Sequence, residues 1–273
     1  MNNSKKAKNH LQIASDSIPE IALLPGDPAR VYEIGECLSN VEEIGNNRDY
    51  ITITGTYKGL PLTVCSSGIG GPSTEIAVVE LNRLGVKTII RVGTSGGLAN
   101  DVNPGDLIVL SSCIRYSGTA NLFIPENFPA VADYRLLTAL ISACEEAGVV
   151  YHVGIGLSLD SFYATKPDLL REDFPSSIYR KLKEWIAAGA LQLDMEAATL
   201  YVLSSLLKIN AAAICTAGSN ISRGERPKTP PSNENAIIAA CEAAYKFNNW
   251  KDISIKRGRS FTLPPIASGG NEQ

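Results

Sequence analysis

The chain has 273 residues, enough for one large domain or two small ones, and with 44% hydrophobic and 19% charged residues it has ample material for a core. A net charge of −3 gives no global reason to expect nucleic acid or a membrane surface as partner, and no apolar run is long enough to span a bilayer. The six cysteines are scattered, without a CxxC pair or a neighbouring histidine, which removes the usual metal and redox motifs and points to reduced core thiols in a cytoplasmic protein.

Residues 1–20 read as a loosely held tail, polar and basic up to His10 and without the apolar stretch of a secretory leader. Ile21–Leu24 is a short strand. Pro25-Gly26-Asp27-Pro28-Ala29-Arg30 follows, where two prolines bar a strand or helix interior and a helix opens near Val31. An alternating run at 51–57, the pair Lys58-Gly59 and a second run at 60–65 predict a hairpin. Ser66 to Gly71 is a glycine-rich strand exit into a helix that Gly85 stops. Val86–Val92 is a buried strand ending in Gly93-Thr94-Ser95-Gly96-Gly97, a loop able to aim N–H groups and hydroxyls at an anion, with Arg91 as a forked cation in the run itself.

Further strands are predicted at 106–114, 151–159 and 211–216, and helices at 133–147, 176–188, from Glu196 to about Lys208, and at 234–247. Segment 164–175 reads as a loop beside the site, and 248–273 as a poorly packed tail. Strands alternate with helices from 21 to 247 without a linker, so the expected fold is a single three-layer α/β/α domain with a mixed sheet between two tails. The unusual loops all follow strands, where open α/β sheets gather their ligands.

Taken together, Pro25 to Pro28 with Arg30, Ser67-Gly68-Ile69-Gly70-Gly71-Pro72-Ser73, Arg91 to Gly96, and Asp194-Met195-Glu196-Ala197-Ala198-Thr199 resemble the trimeric-to-hexameric nucleoside phosphorylases. Within that family the chain is most similar to the uridine phosphorylase branch, with Phe128 to Asp133 and the lead-in around His10 adding to the likeness. The resemblance implies attack of inorganic phosphate on C1′ of a nucleoside, giving free base and ribose 1-phosphate without a cofactor or metal. It assigns phosphate to Gly26, Arg30, Arg91 and Thr94, with Arg48 from a neighbouring subunit, and names Arg91 and Glu196 as the catalytic pair. It assigns the sugar to His10, Thr94, Met195 and Glu196, with His10 reaching the 5′-hydroxyl across a dimer interface. The base falls to Ser95, Gly96, Phe162, Lys166, Asp168 and Ser219. The implied partners are nucleoside and phosphate, in a homo-oligomer built from dimers, with a hexamer as the expected assembly.

The chain departs from the family in two places. Lys166 and Asp168 stand where uridine phosphorylases carry a glutamine and an arginine on the uracil edge. As a donor and an acceptor, they would replace that pair and favour uridine. Ser219 stands where the purine enzymes carry an aspartate that protonates the leaving base. A purine nucleoside phosphorylase, a nucleosidase using water and a catalytically silent nucleoside-binding protein are the alternatives. Three arginines suited to an anion argue against water as the nucleophile, and an intact Glu196 argues against a silent protein.

Overall fold

A computed structural model of the chain describes residues 10–13, 17–165 and 177–256. Its frame is one mixed ten-stranded sheet. The strands are β1 (Ile21–Pro25), β2 (Ser39–Asn47), β3 (Tyr50–Tyr57), β4 (Leu60–Cys65), β5 (Thr88–Gly97), β6 (Leu107–Tyr116), β7 (Ala130–Val131), β8 (Tyr151–Leu159), β9 (Ala190–Asp194) and β10 (Asn210–Asn220). The helices are α1 (Pro28–Gly35), α2 (Gly71–Arg83), α3 (Gly118–Asn121), α4 (Tyr134–Ala147), α5 (Ser177–Ala187), α6 (Ala197–Leu207) and α7 (Glu234–Lys256).

β5 is the hub. It pairs in parallel with β1 and β10 and antiparallel with the end of β9. From β10 the path runs through β6, β8 and β9 back to β5, so these strands close on themselves as a ring. On the other flank of β5, strands β1, β4, β3 and β2 form an open wing. One face of the sheet packs on α2 and α6, through Val78, Leu81, Leu200 and Leu203. The opposite face packs on α1, α4 and α7, through Ile34, Leu140, Ile237 and Phe247. α5 closes a smaller cluster of Leu157, Leu159, Leu182 and Leu193. The three layers expected from the sequence are therefore present, with a sheet that also closes at one end.

Local chemistry accounts for the boundaries. Asp27 caps α1 by accepting from the Ala29 N–H at 2.9 Å, and Pro28 begins the helix, where its missing N–H costs nothing. Lys58 and Gly59 turn the β3–β4 hairpin at φ +48° and +84°. Asp133 caps α4 and Gly148 ends it in the left-handed region.

Several elements differ from the sequence pattern. Gly93–Gly97 and Ala217–Asn220 are not loops: they continue β5 and β10 as paired strands, with a bulge between Ala217 and Ser219. Neighbouring side chains fill the space at Gly93, where a Cβ would lie 2.9 Å from Cys215 Sγ. β2 is too polar to show a core face, and β9 has only five residues. The tail expected before residue 20 is anchored, with Leu11, Ile13 and Ile18 in the core. The helix expected to stop at Phe247 continues to Lys256, burying Trp250 on the way.

Candidate active site

Alternation along β5 puts Ile89 and Arg91 on one face of the sheet and Ile90 and Val92 on the other. Arg91 thus occupies a core position, 3% exposed, and its charge has to be met from within the protein. The turn from β9 into α6 meets it. Arg91 Nε donates to Asp194 Oδ2 at 3.2 Å and NH2 donates to Glu196 Oε2 at 2.5 Å. NH1 is buried without a partner among the described residues.

Both carboxylates are held in turn. Asp194 Oδ1 accepts from Ser158 Oγ at 2.6 Å, and Oδ2 accepts from the Ala197 N–H at 3.1 Å. Glu196 Oε1 accepts from the Gly70 N–H at 2.7 Å and Oε2 from the Met195 N–H at 3.1 Å. Gly70 stands at φ +86° as the cap of α2, a conformation that suits glycine, so the glycine turn after β4 directs an N–H at a carboxylate of this chain.

Burial alone would weaken the Arg91 cation, but the adjacent Glu196 and Asp194 overcome it and hold its pKa above the ordinary value. For Glu196 burial dominates the favourable Arg91 charge and, with Asp194 close by, raises the carboxyl above its ordinary 4.5. Arg30, in the first turn of α1, is 6% exposed and donates through NH1 to the Val92 carbonyl at 3.2 Å. Its pKa is lowered, by burial first and by the like charge of Arg91 as well, against the pull of Asp27 and Glu33. Cys215 faces this cluster from β10, but burial pushes its thiol up to about 12, so it stays protonated at neutral pH.

These groups form one end of a cavity of about 750 Å³. Gly26, Arg30, Arg91, Thr94, Ser95, Gly96, Phe162, Met195, Glu196 and Ser219, all singled out from sequence, line it together. Two others do not line the cavity of their own chain. His10 is tied to α2, with Nδ1 2.8 Å from Glu80 Oε1 and its carbonyl accepting from Asn47 Nδ2 at 2.7 Å. Arg48 stands exposed at φ +54° in the turn from β2 to β3. Lys166 and Asp168 lie outside the described residues.

The structure adds lining residues that no motif marked: Asp49, Ile221, Arg226, Pro227 and Pro230, while Ile69, quoted in a motif without a role, lines the cavity as well. Arg226 and its prolines lie in a polar segment whose sequence has no period to read; its place after a strand end was the available signal. Asp194 carries no sequence signal for its role, because it ends β9 while Glu196 already caps α6.

Known proteins resemble this chain over most of its length. The family model described as the phosphorylase superfamily matches residues 20–247. A uridine phosphorylase of Thermococcus kodakarensis is 37% identical over 93% of this chain and 92% of its own length. A uridine phosphorylase of Escherichia coli is 36% identical over 88% and 95%, and a guanosine phosphorylase of Halorubrum lacusprofundi 36% over 82% and 88%. The matched span runs from the strand before Gly26 to Phe247 on α7 and contains Arg30, Arg91, Asp194 and Glu196 of the cavity lining, so the chain belongs to the phosphorylase superfamily.

Proposed function

We propose that the cavity performs phosphorolysis of a nucleoside of the uridine phosphorylase type, as a pentosyltransferase. The observation that carries this is the buried Arg91–Glu196 pair beside Arg30, which sets an anion site against an acceptor for sugar hydroxyls. Phosphate enters between Arg30, Gly26, Thr94 and the unpartnered NH1 of Arg91, where charge-assisted hydrogen bonds offset its lost hydration. Glu196 accepts from the 2′- and 3′-hydroxyls, and Met195 packs against the sugar.

In the reaction a phosphate oxygen forms the bond to C1′ as the C1′–N bond breaks, and the electron pair of that bond leaves with the base. The sugar passes through an oxocarbenium-like state, whose positive charge the phosphate and Glu196 stabilise. Phosphate is consumed as a co-substrate. Its two negative charges give the buried arginines a purpose that a water nucleophile would not.

Arg48 and His10, both away from the cavity of their own chain, complete the site of a neighbouring subunit in a dimer-based homo-oligomer, a hexamer in full. The relatives' substrates, uridine and guanosine, keep a pyrimidine and a purine in view; Ser219 cannot supply the acid a purine nitrogen wants, which favours uridine. The test is base release from uridine with and without phosphate. Phosphate-dependent release with ribose 1-phosphate as product is expected. Equal release in phosphate-free buffer, with free ribose, would overturn the proposal.

A further inference from the structure

The end of the cavity away from Arg91 is held by a rigid turn. After β10, Asn220 and Glu225 exchange backbone hydrogen bonds of 2.9 Å in each direction, with Gly224 at φ +65° between them. The Asn220 side chain donates to the carbonyls of Ala99 and Val102, both at 2.8 Å. Arg223, inside the turn, is fully engaged. It donates to Glu225 through Nε and NH2, to Asn103 Oδ1 at 3.1 Å and to the Asn100 carbonyl. The turn is therefore fastened to the segment that follows β5.

Arg226 is the first residue beyond that bridge, and Pro227 fixes the backbone after it. Arg226 lines the cavity, yet among the described residues its guanidinium has no hydrogen-bond partner. The same cavity is lined by the apolar Phe162, Ile221, Pro227 and Pro230, with Ser219 as a hydroxyl. Among the described residues Arg226 is thus a cation of the lining with no carboxylate to meet it, the reverse of Arg91, whose charge is spent on Asp194 and Glu196.

We propose that Arg226 is the specificity-determining residue for the base, donating to the exocyclic oxygen at pyrimidine C4 or purine C6, so that the site takes bases with an oxo group at that position and rejects those with an amino group there. The assignment rests on the cavity being a nucleoside site. When the C1′–N bond breaks, the departing base carries the electron pair, and in an oxo base that charge spreads onto the carbonyl oxygen. A guanidinium there gains strength as the bond breaks, which is transition-state binding. A base bearing an amino group at that edge points N–H at N–H, leaving donors unpaired on both sides. Ser219 is too weak an acid to take over by protonating the base.

The experiment compares kcat/KM for uridine, guanosine, cytidine and adenosine in the full-length protein and in Arg226→Ala and Arg226→Lys. Uridine is expected to exceed cytidine, and guanosine to exceed adenosine. Arg226→Ala is expected to lower the oxo-base values by roughly 10- to 100-fold, the loss of a hydrogen bond from a charged donor, while the KM for phosphate stays put. Arg226→Lys, which keeps the charge without the fork, restores part of the rate. The loss in Arg226→Ala should shrink with 5-fluorouridine, whose base carries its own charge more readily. An unchanged oxo-to-amino ratio in Arg226→Ala, or an amino base preferred by the parent protein, overturns the assignment of Arg226 alone. A parent protein that releases no base from any of the four nucleosides overturns both this assignment and the function beneath it.

Discussion

The two ends of the cavity are built on opposite terms. At one end Arg91, Asp194 and Glu196 stand on β5 and at the β9–α6 junction, buried and cross-bonded to Ser158, Gly70 and the first turn of α6. At the other, Phe162 and Arg226 stand on segments that leave the sheet, about half-exposed or more, with few bonds to the frame. The first end has to hold a charge arrangement that water would otherwise weaken, so it is made of strands and dry contacts. On the proposed function the second admits and releases a base, and it is made of loops. On that reading chemistry is fixed by the frame, and selectivity is carried where the chain can change without unmaking the core.

The largest effect should come from breaking the fixed end. Arg91→Met leaves two buried carboxylates facing each other without their cation, and the fold should lose about 3–5 kcal/mol as well as all phosphorolysis. A denaturation midpoint unchanged from the parent would show that the triad is not a structural unit. Glu196→Gln is milder for the fold, because Asp194 still holds Arg91 Nε. Its kcat/KM should fall by the equivalent of about 2–4 kcal/mol.

The same residue sets a pH dependence. In the proposed reaction Glu196 accepts from the sugar hydroxyls as a carboxylate, and burial raises its carboxyl above the ordinary value of 4.5. The active, deprotonated form is therefore lost as pH falls through that raised value, so the acid limb of kcat/KM should lie above the usual carboxylate range and vanish in Glu196→Gln. An acid limb at the ordinary value, or one that survives the substitution, would assign it to another group. The smallest effect belongs to the open end. Phe162→Leu keeps an apolar wall and loses a ring face, so KM for the nucleoside should rise by the equivalent of about 1 kcal/mol with kcat unchanged. A large loss of kcat there would mean that the two ends are not separable.

The same contrast explains what the sequence reveals. Asp27-Pro28 and Arg30 are legible because a cap, a proline at the first helical position and a charge each carry meaning within a few residues. Arg91 is conspicuous because a charge interrupts an otherwise apolar strand. The glycines at 93, 96 and 97 mislead: read locally they signal a turn, but they are strand residues whose missing side chains make way for Cys215, Ile221 and Val102 across the sheet. That reason is long-range, and no window of neighbouring residues contains it. β9 hides for a related cause, since five residues take their strand character from β8 and β5 on either side. Asp194 was in view as part of a motif, but its bond to Arg91 spans 103 positions. Arg226 has no local signature at all; only the folded turn behind it gives it a direction.

The ring of strands also governs how the protein comes into being. β5 is synthesised by residue 97, yet its partner along one edge, β10, begins at Asn210. Until that strand arrives, β5 and β6 each carry an unpaired edge in an aqueous medium, a state prone to pairing with other chains. The cavity therefore cannot assemble piecemeal, because Arg91 waits more than a hundred positions for the carboxylates that make its burial tolerable. Folding of this kind is slow and late, since distant segments must meet before any of them is rewarded. Activity in this protein is thus a direct report of ring closure, and a chain cut anywhere before Asn220 is a sheet with a sticky side and no site.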